Sequence, residues 1–145
     1  MFEARTDSAE QTQRLGREFA RLLKEKDLVL LEGELGGGKT TFLKGVLKGL
    51  GSRARVLSPT FTLIRHYRAK RFQINHVDLY RLSGLDEALT AGLGDYLSAD
   101  KSITFIEWGE KIEKELPKFW KIVFTYTGSH SRKITFTRKE QRYKT

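Results

Sequence analysis

Cysteine is absent from this chain of 145 residues, so disulfides and thiolate metal sites are excluded and a reducing compartment fits. No apolar run approaches the roughly 18 residues of a membrane span. The opening Met1-Phe2-Glu3-Ala4-Arg5 lacks the apolar stretch of a signal peptide. No repeat, low-complexity tract or linker divides the sequence. Acidic residues are few beside basic ones, 18 against 27, which leaves a net charge of +9. These absences lead to the expectation of a soluble, cytoplasmic, single-domain protein, with an ordinary 39% of hydrophobic residues to build its core.

The positive charge is uneven. From Pro117 onward eight Lys or Arg face one acid, Glu140, so the basic C-terminal hairpin and tail carry +7 of the total. Such an end suits a phosphate-rich partner such as RNA, and equally a solvated tail that aids solubility.

Apolar spacing predicts the elements. Leu15, Phe19, Leu22 and Leu23 share one face of a helix over 7–26, with Ser8 and Gln11 as a capping box at its start. Leu28-Val29-Leu30-Leu31 reads as a strand buried on both faces, and Thr40 to Leu50 as a helix stopped by Gly51. Phe61 to Tyr67 and Arg71 to Tyr80 look extended, joined by Arg68-Ala69-Lys70 as an antiparallel hairpin. A short helix is expected over Asp86 to Thr90, a buried strand over Ser102 to Trp108, and a helical stretch over Gly109 to Leu116. Ile122 to Thr127 and Lys133 to Thr137 alternate as strands about a Gly128-Ser129-His130-Ser131 turn.

Between the first strand and the second helix stands Gly33-Glu34-Leu35-Gly36-Gly37-Gly38-Lys39-Thr40. Each part of the pattern G-x-x-x-x-G-K-[ST] has a task. Glycines let successive N–H groups turn inward and approach phosphate oxygens, and the following helix offers its positive end to the same anion. Lys39 can then reach the β- and γ-phosphates of ATP, and the Thr40 hydroxyl can ligate Mg²⁺. The flanking strand and helix are what distinguish this from a structural glycine turn.

Such a site also needs a carboxylate. Glu107 ends the apolar run Ile103-Thr104-Phe105-Ile106, and Asp78 lies near the end of His76-Val77-Asp78. Either could stand beside the phosphates, since ligands bind beyond the carboxyl ends of strands in such sheets; either could equally be an ordinary surface acid. His66 and His76 lack the companions of a metal cluster and read as solvated or hydrogen-bonded side chains. Spacing alone places Trp108 in the core.

Four ordered segments resemble one family closely: Gly33 to Thr41, Ser58-Pro59-Thr60-Phe61-Thr62-Leu63, His76-Val77-Asp78-Leu79-Tyr80-Arg81-Leu82, and Ile106-Glu107-Trp108. Over about Ser8 to Leu116 the chain is similar to the TsaE family, small bacterial ATPases required for N6-threonylcarbamoyladenosine in tRNA. The resemblance implies an α/β P-loop fold with a mixed sheet flanked by helices. It also implies partnership with the TsaB–TsaD pair, in which TsaD transfers the threonylcarbamoyl group while ATP hydrolysis drives or resets the complex; tRNA would be met only through that complex. By position, Leu35, Gly36, Gly37, Gly38, Lys39, Thr40 and Thr41 would wrap the phosphates. Thr40 and Glu107 would serve Mg²⁺, Asp78 would be a functional acid close by, and Trp108 would sit at the site. Gly37 stands where the family commonly has Ala, a change that only widens backbone freedom. The basic end follows no motif of the family. The rival reading, a small P-loop kinase for a nucleoside or metabolite, calls for an arginine-bearing lid that the sequence does not offer.

Overall fold

The computed structural model describes residues 1–34, 38–56, 64–90 and 92–141. Its centre is one sheet of seven strands: β1 (Phe2–Thr6), β2 (Leu28–Gly33), β3 (Ile64–Arg68), β4 (Gln73–Asp78), β5 (Ser102–Glu107), β6 (Lys118–Tyr126) and β7 (Arg132–Glu140). They lie in the order β1-β7-β6-β2-β5-β4-β3. β2 runs parallel to both β5 and β6, and β4 parallel to β5, while the outer pairs are antiparallel. The sheet is therefore mixed, with its parallel strands in the middle.

Helices cover both faces, which is why Leu28-Val29-Leu30-Leu31 of β2 reads as an unbroken apolar run and β5 is buried from Ser102 to Ile106. On one face Val29, Leu31, Ile103 and Phe105 pack under α1 (Ala9–Phe19) and α2 (Lys39–Gly49). On the other, Leu28, Leu30, Val77 and Ile106 pack with Ala88 of α3 (Leu85–Thr90), Leu93 of α4 (Leu93–Leu97) and Ile112. Aromatic rings fill the first layer, with Phe42 edge-on to Phe124 at 5.5 Å and Phe19 against Phe136 at 5.3 Å.

Glycine sets how closely α1 and α2 approach. A methyl group on Gly45 would overlap the Gln13 carbonyl, and one on Gly16 the Phe42 carbonyl, so each helix presents a bare backbone to the other. Ser8 caps α1, accepting from the Gln11 N–H at 3.1 Å. The return bond of the capping box is displaced by one residue: the Gln11 side chain accepts from Asp7 N–H at 2.7 Å.

The structure departs from the sequence expectations in several places. The first helix ends at Phe19 and tightens into a 3₁₀ turn, Ala20–Leu22, instead of running to Lys26. Leu23 turns extended to reach the core, and Leu22 is left 47% exposed. Gly109 to Leu116 is two 3₁₀ turns, Gly109–Lys111 and Glu113–Glu115, rather than one helix. Gly109 lies so close to β2 that a Cβ would sit 2.7 Å from Leu30, and Ile112 breaks the run to bury its side chain. β1 and α4 had no counterpart in the sequence reading. The two hairpins formed as expected, β3 with β4 and β6 with β7. The expected Ser58 to Leu63 features lie outside the described residues. No helix among the described residues is long and apolar enough to cross a membrane.

Candidate functional site

The strand–loop–helix unit ends β2 at Gly33 and starts α2 at Lys39. Gly33 faces β6 so closely that a Cβ would stand 2.7 Å from the Phe124 carbonyl oxygen. Gly38 caps α2 with φ 101°, a left-handed conformation that glycine adopts without the penalty of a side chain. The first intrahelical bond runs from Phe42 N–H to the Gly38 carbonyl at 2.8 Å. The N–H groups of Lys39, Thr40 and Thr41 precede it and have no helical acceptor. No side chain caps this end. Such an end is suited to an anion, with the dipole pointing the same way. Leu35, Gly36 and Gly37 lie outside the described residues.

Lys39, only 11% exposed, donates to the Gly33 carbonyl at 2.9 Å and lies 3.4 Å from Glu107 Oε1. Glu107 reaches this point because β5 stays buried through Ile106 and emerges only at its last residue. Being in register with Leu31 of β2 and Asp78 of β4, it stands at the carboxyl end of the parallel strands. The second oxygen, Oε2, is 2.7 Å from Nε2 of His76, whose side chain is 1% exposed. Burial pulls the Glu107 carboxyl upward, but the hydrogen bond from His76, the imidazole's charge and Lys39 outweigh it. The net effect holds the carboxyl below the usual carboxylate range.

Asp78 is in register with Glu107, yet its carboxylate accepts from Tyr80 N–H at 2.8 Å and so shapes the turn after β4. Trp108, placed in the core by spacing alone, is instead 41% exposed. Its backbone is left-handed, φ 62°, and its ring lies 5.0 Å from that of Tyr80. With Lys39, Gly33, Glu34 and Glu110 it lines an open cleft of about 310 Å³. Thr40 and Thr41 are half-buried in the first turn of α2.

Two further side chains support the candidate site, His76 through Glu107 and Lys111 through the loop after β4. Lys111 donates to the carbonyls of Leu79 at 3.0 Å, Tyr80 at 2.7 Å and Leu82 at 2.8 Å, pinning the loop that carries Tyr80. The signal for His76 was its place two residues before Asp78, which puts both on one face of β4. The described residues hold no group of three or more His, Cys, Asp or Glu fit for a metal. A carboxylate and a hydroxyl fit Mg²⁺, which usually relies on one or two protein groups plus phosphate oxygens and water.

Comparison with known proteins adds independent findings. A family model described as "Threonylcarbamoyl adenosine biosynthesis protein TsaE" matches residues 6–139, so the likeness extends beyond Leu116 through most of β7. The tRNA threonylcarbamoyladenosine biosynthesis protein TsaE of Bacillus subtilis is 39% identical over 140 residues, covering 96% of this chain and 87% of that one. The protein of the same name in Streptomyces coelicolor is 47% identical over 105 residues, 70% of each chain. Among solved structures, the crystal structure of Bacillus subtilis YdiB superposes with a TM-score of 0.76 at 34% identity, covering 94% of this chain and 84% of that one.

Proposed function

Because the chain belongs to the TsaE family of threonylcarbamoyl adenosine biosynthesis proteins, we propose that it binds and hydrolyses ATP with Mg²⁺ and does so in partnership with TsaB and TsaD. The observation that carries the ATPase reading is the 3.4 Å pairing of Lys39, at the uncapped first turn of α2, with the largely enclosed carboxylate of Glu107 at the end of β5. A lysine and a carboxylate so placed match the two charged duties of a phosphate site.

In this reading the N–H groups of Lys39, Thr40 and Thr41 bind phosphate oxygens, together with Leu35 to Gly38. Lys39 exchanges the Gly33 carbonyl and Glu107 for the β- and γ-phosphates. That exchange leaves Glu107 Oε1 facing the phosphates, where with Thr40 it would hold Mg²⁺. Such an ion would neutralise phosphate charge. Asp78 adds a second carboxylate one strand away, and Trp108 borders the nucleotide across the cleft. The modified adenosine is not touched by this chain; tRNA is met through the TsaB–TsaD complex, in the cytoplasm.

A pull-down on TsaB–TsaD, with and without ATP, tests the partnership, and turnover without any phosphate acceptor tests the activity. Retention that changes with ATP and acceptor-free turnover are expected. Turnover only on adding a nucleoside or metabolite would contradict the reading in favour of a kinase.

A further inference from the structure

His76 is a costly residue to bury. Its side chain is 1% exposed within β4, in register with Phe105 on one side and with its ring 6.5 Å from that of Tyr67 on the other. An imidazole taken out of water loses the solvation of its two ring nitrogens unless partners replace it. Among the described residues Nδ1 has no hydrogen-bond partner. The ring's polar tie is the 2.7 Å contact between Nε2 and Glu107 Oε2. A carboxylate only accepts, so Nε2 carries the proton and donates.

That bond fixes a torsion otherwise loosely held. The terminal carboxylate torsion of glutamate is broad and two-fold, so without His76 only Lys39, at 3.4 Å from one oxygen, would orient the Glu107 carboxylate. With Oε2 held by His76, Oε1 is the oxygen left on the Lys39 side, 3.4 Å from Nζ. We propose that His76 is a positioning residue for ATP turnover, acting through Glu107 by holding one oxygen so that the other faces the phosphates. The proposal rests on the ATPase reading above. Phe in place of His76 would keep an apolar ring in the layer but lose the donor; Gln would keep an N–H close to the position of Nε2.

The test combines kinetics with a spectrum of the nucleotide-free protein. H76F should lower kcat roughly 10- to 100-fold, the usual effect of removing such a support, with ATP affinity by calorimetry within about threefold. H76Q should recover much of the rate. In a Glu107→Ala background H76F should cost nothing further, since residues acting as one unit are not additive. The imidazole ¹⁵N–¹H spectrum should show the His76 proton on Nε2, with that signal displaced in Glu107→Ala. An unchanged kcat in H76F, an equal loss in the Glu107→Ala background, or an Nε2 signal indifferent to Glu107 would overturn the assignment. A wild-type protein without turnover would overturn the ATPase reading and this role with it, whereas an active wild type with any of those results overturns the role of His76 alone.

Discussion

Glu107 concentrates the chemistry at the scale of single residues. Burial opposes its ionisation, and His76 with Lys39 restores it, leaving a carboxyl below the usual carboxylate range. The linkage has a definite sign. A carboxyl depressed on folding adds stability above its unfolded pKa of about 4.3, and that stability is lost as pH falls through the lower folded value. Wild type should therefore lose thermal stability relative to Glu107→Gln as pH falls from about 5 into the acid range. A difference in melting temperature that stays flat with pH would show the pair to be without consequence. Trp108 offers a second residue-level test. It borders the same cleft as Lys39, so in a Trp120→Phe background its emission should change on adding ATP and its quenching by acrylamide should fall. Identical quenching with and without ATP would place the nucleotide elsewhere.

Among the elements, the crossing of α1 and α2 fixes where the site's helix starts. Gly45 and Gly16 let two backbones meet, and Gly49 does the same beside Arg17 and Ala20. Gly45→Ala should cost about 1–3 kcal/mol by overpacking, lowering the melting temperature by several degrees; unchanged melting would mean that the crossing yields without strain. The sequence made β2, the glycine loop and α2 readable because each carries its own local signal: an apolar run, a motif and a helical period. Glu107 was readable as an acid closing an apolar strand. β1 was not, because Phe2-Glu3-Ala4-Arg5-Thr6 alternates over only five residues with one large apolar side chain, and is a strand through its pairing with β7. Gly109 to Leu116 has helix-forming composition, but the approach of Gly109 to Leu30 and the burial of Ile112 divide it. His76 could be placed on the face of Asp78, yet its partnership with Glu107 spans 31 positions and depends on the parallel register of β4 and β5.

For the whole molecule, the basic end proves partly engaged with the fold. Lys121 bonds Glu113 at 2.9 Å, which lifts its ammonium above the usual lysine range, and Lys139 lies 3.6 Å from the same acid. Arg138 pairs with Asp27 at 3.5 Å and lies over the Trp120 ring at 5.3 Å. β7 continues to Glu140, opposite Lys118. Removing everything after Thr137 should then lower stability by roughly 1 kcal/mol or more, because register pairs and the two ion pairs of Arg138 and Lys139 go with it; an unaltered melting curve would mark the segment as solvated charge alone.

The most direct measurement is a calorimetric titration of ATP into wild type and Lys39→Ala, each with Mg²⁺ and with EDTA, alongside their melting curves. Wild type should bind tightly with Mg²⁺ and more weakly in EDTA, while Lys39→Ala should still unfold in one cooperative transition, at a lower temperature for the loss of its pair with Glu107, and lose most of its ATP affinity in both conditions. Equal ATP binding by the two proteins would contradict a phosphate site at the first turn of α2.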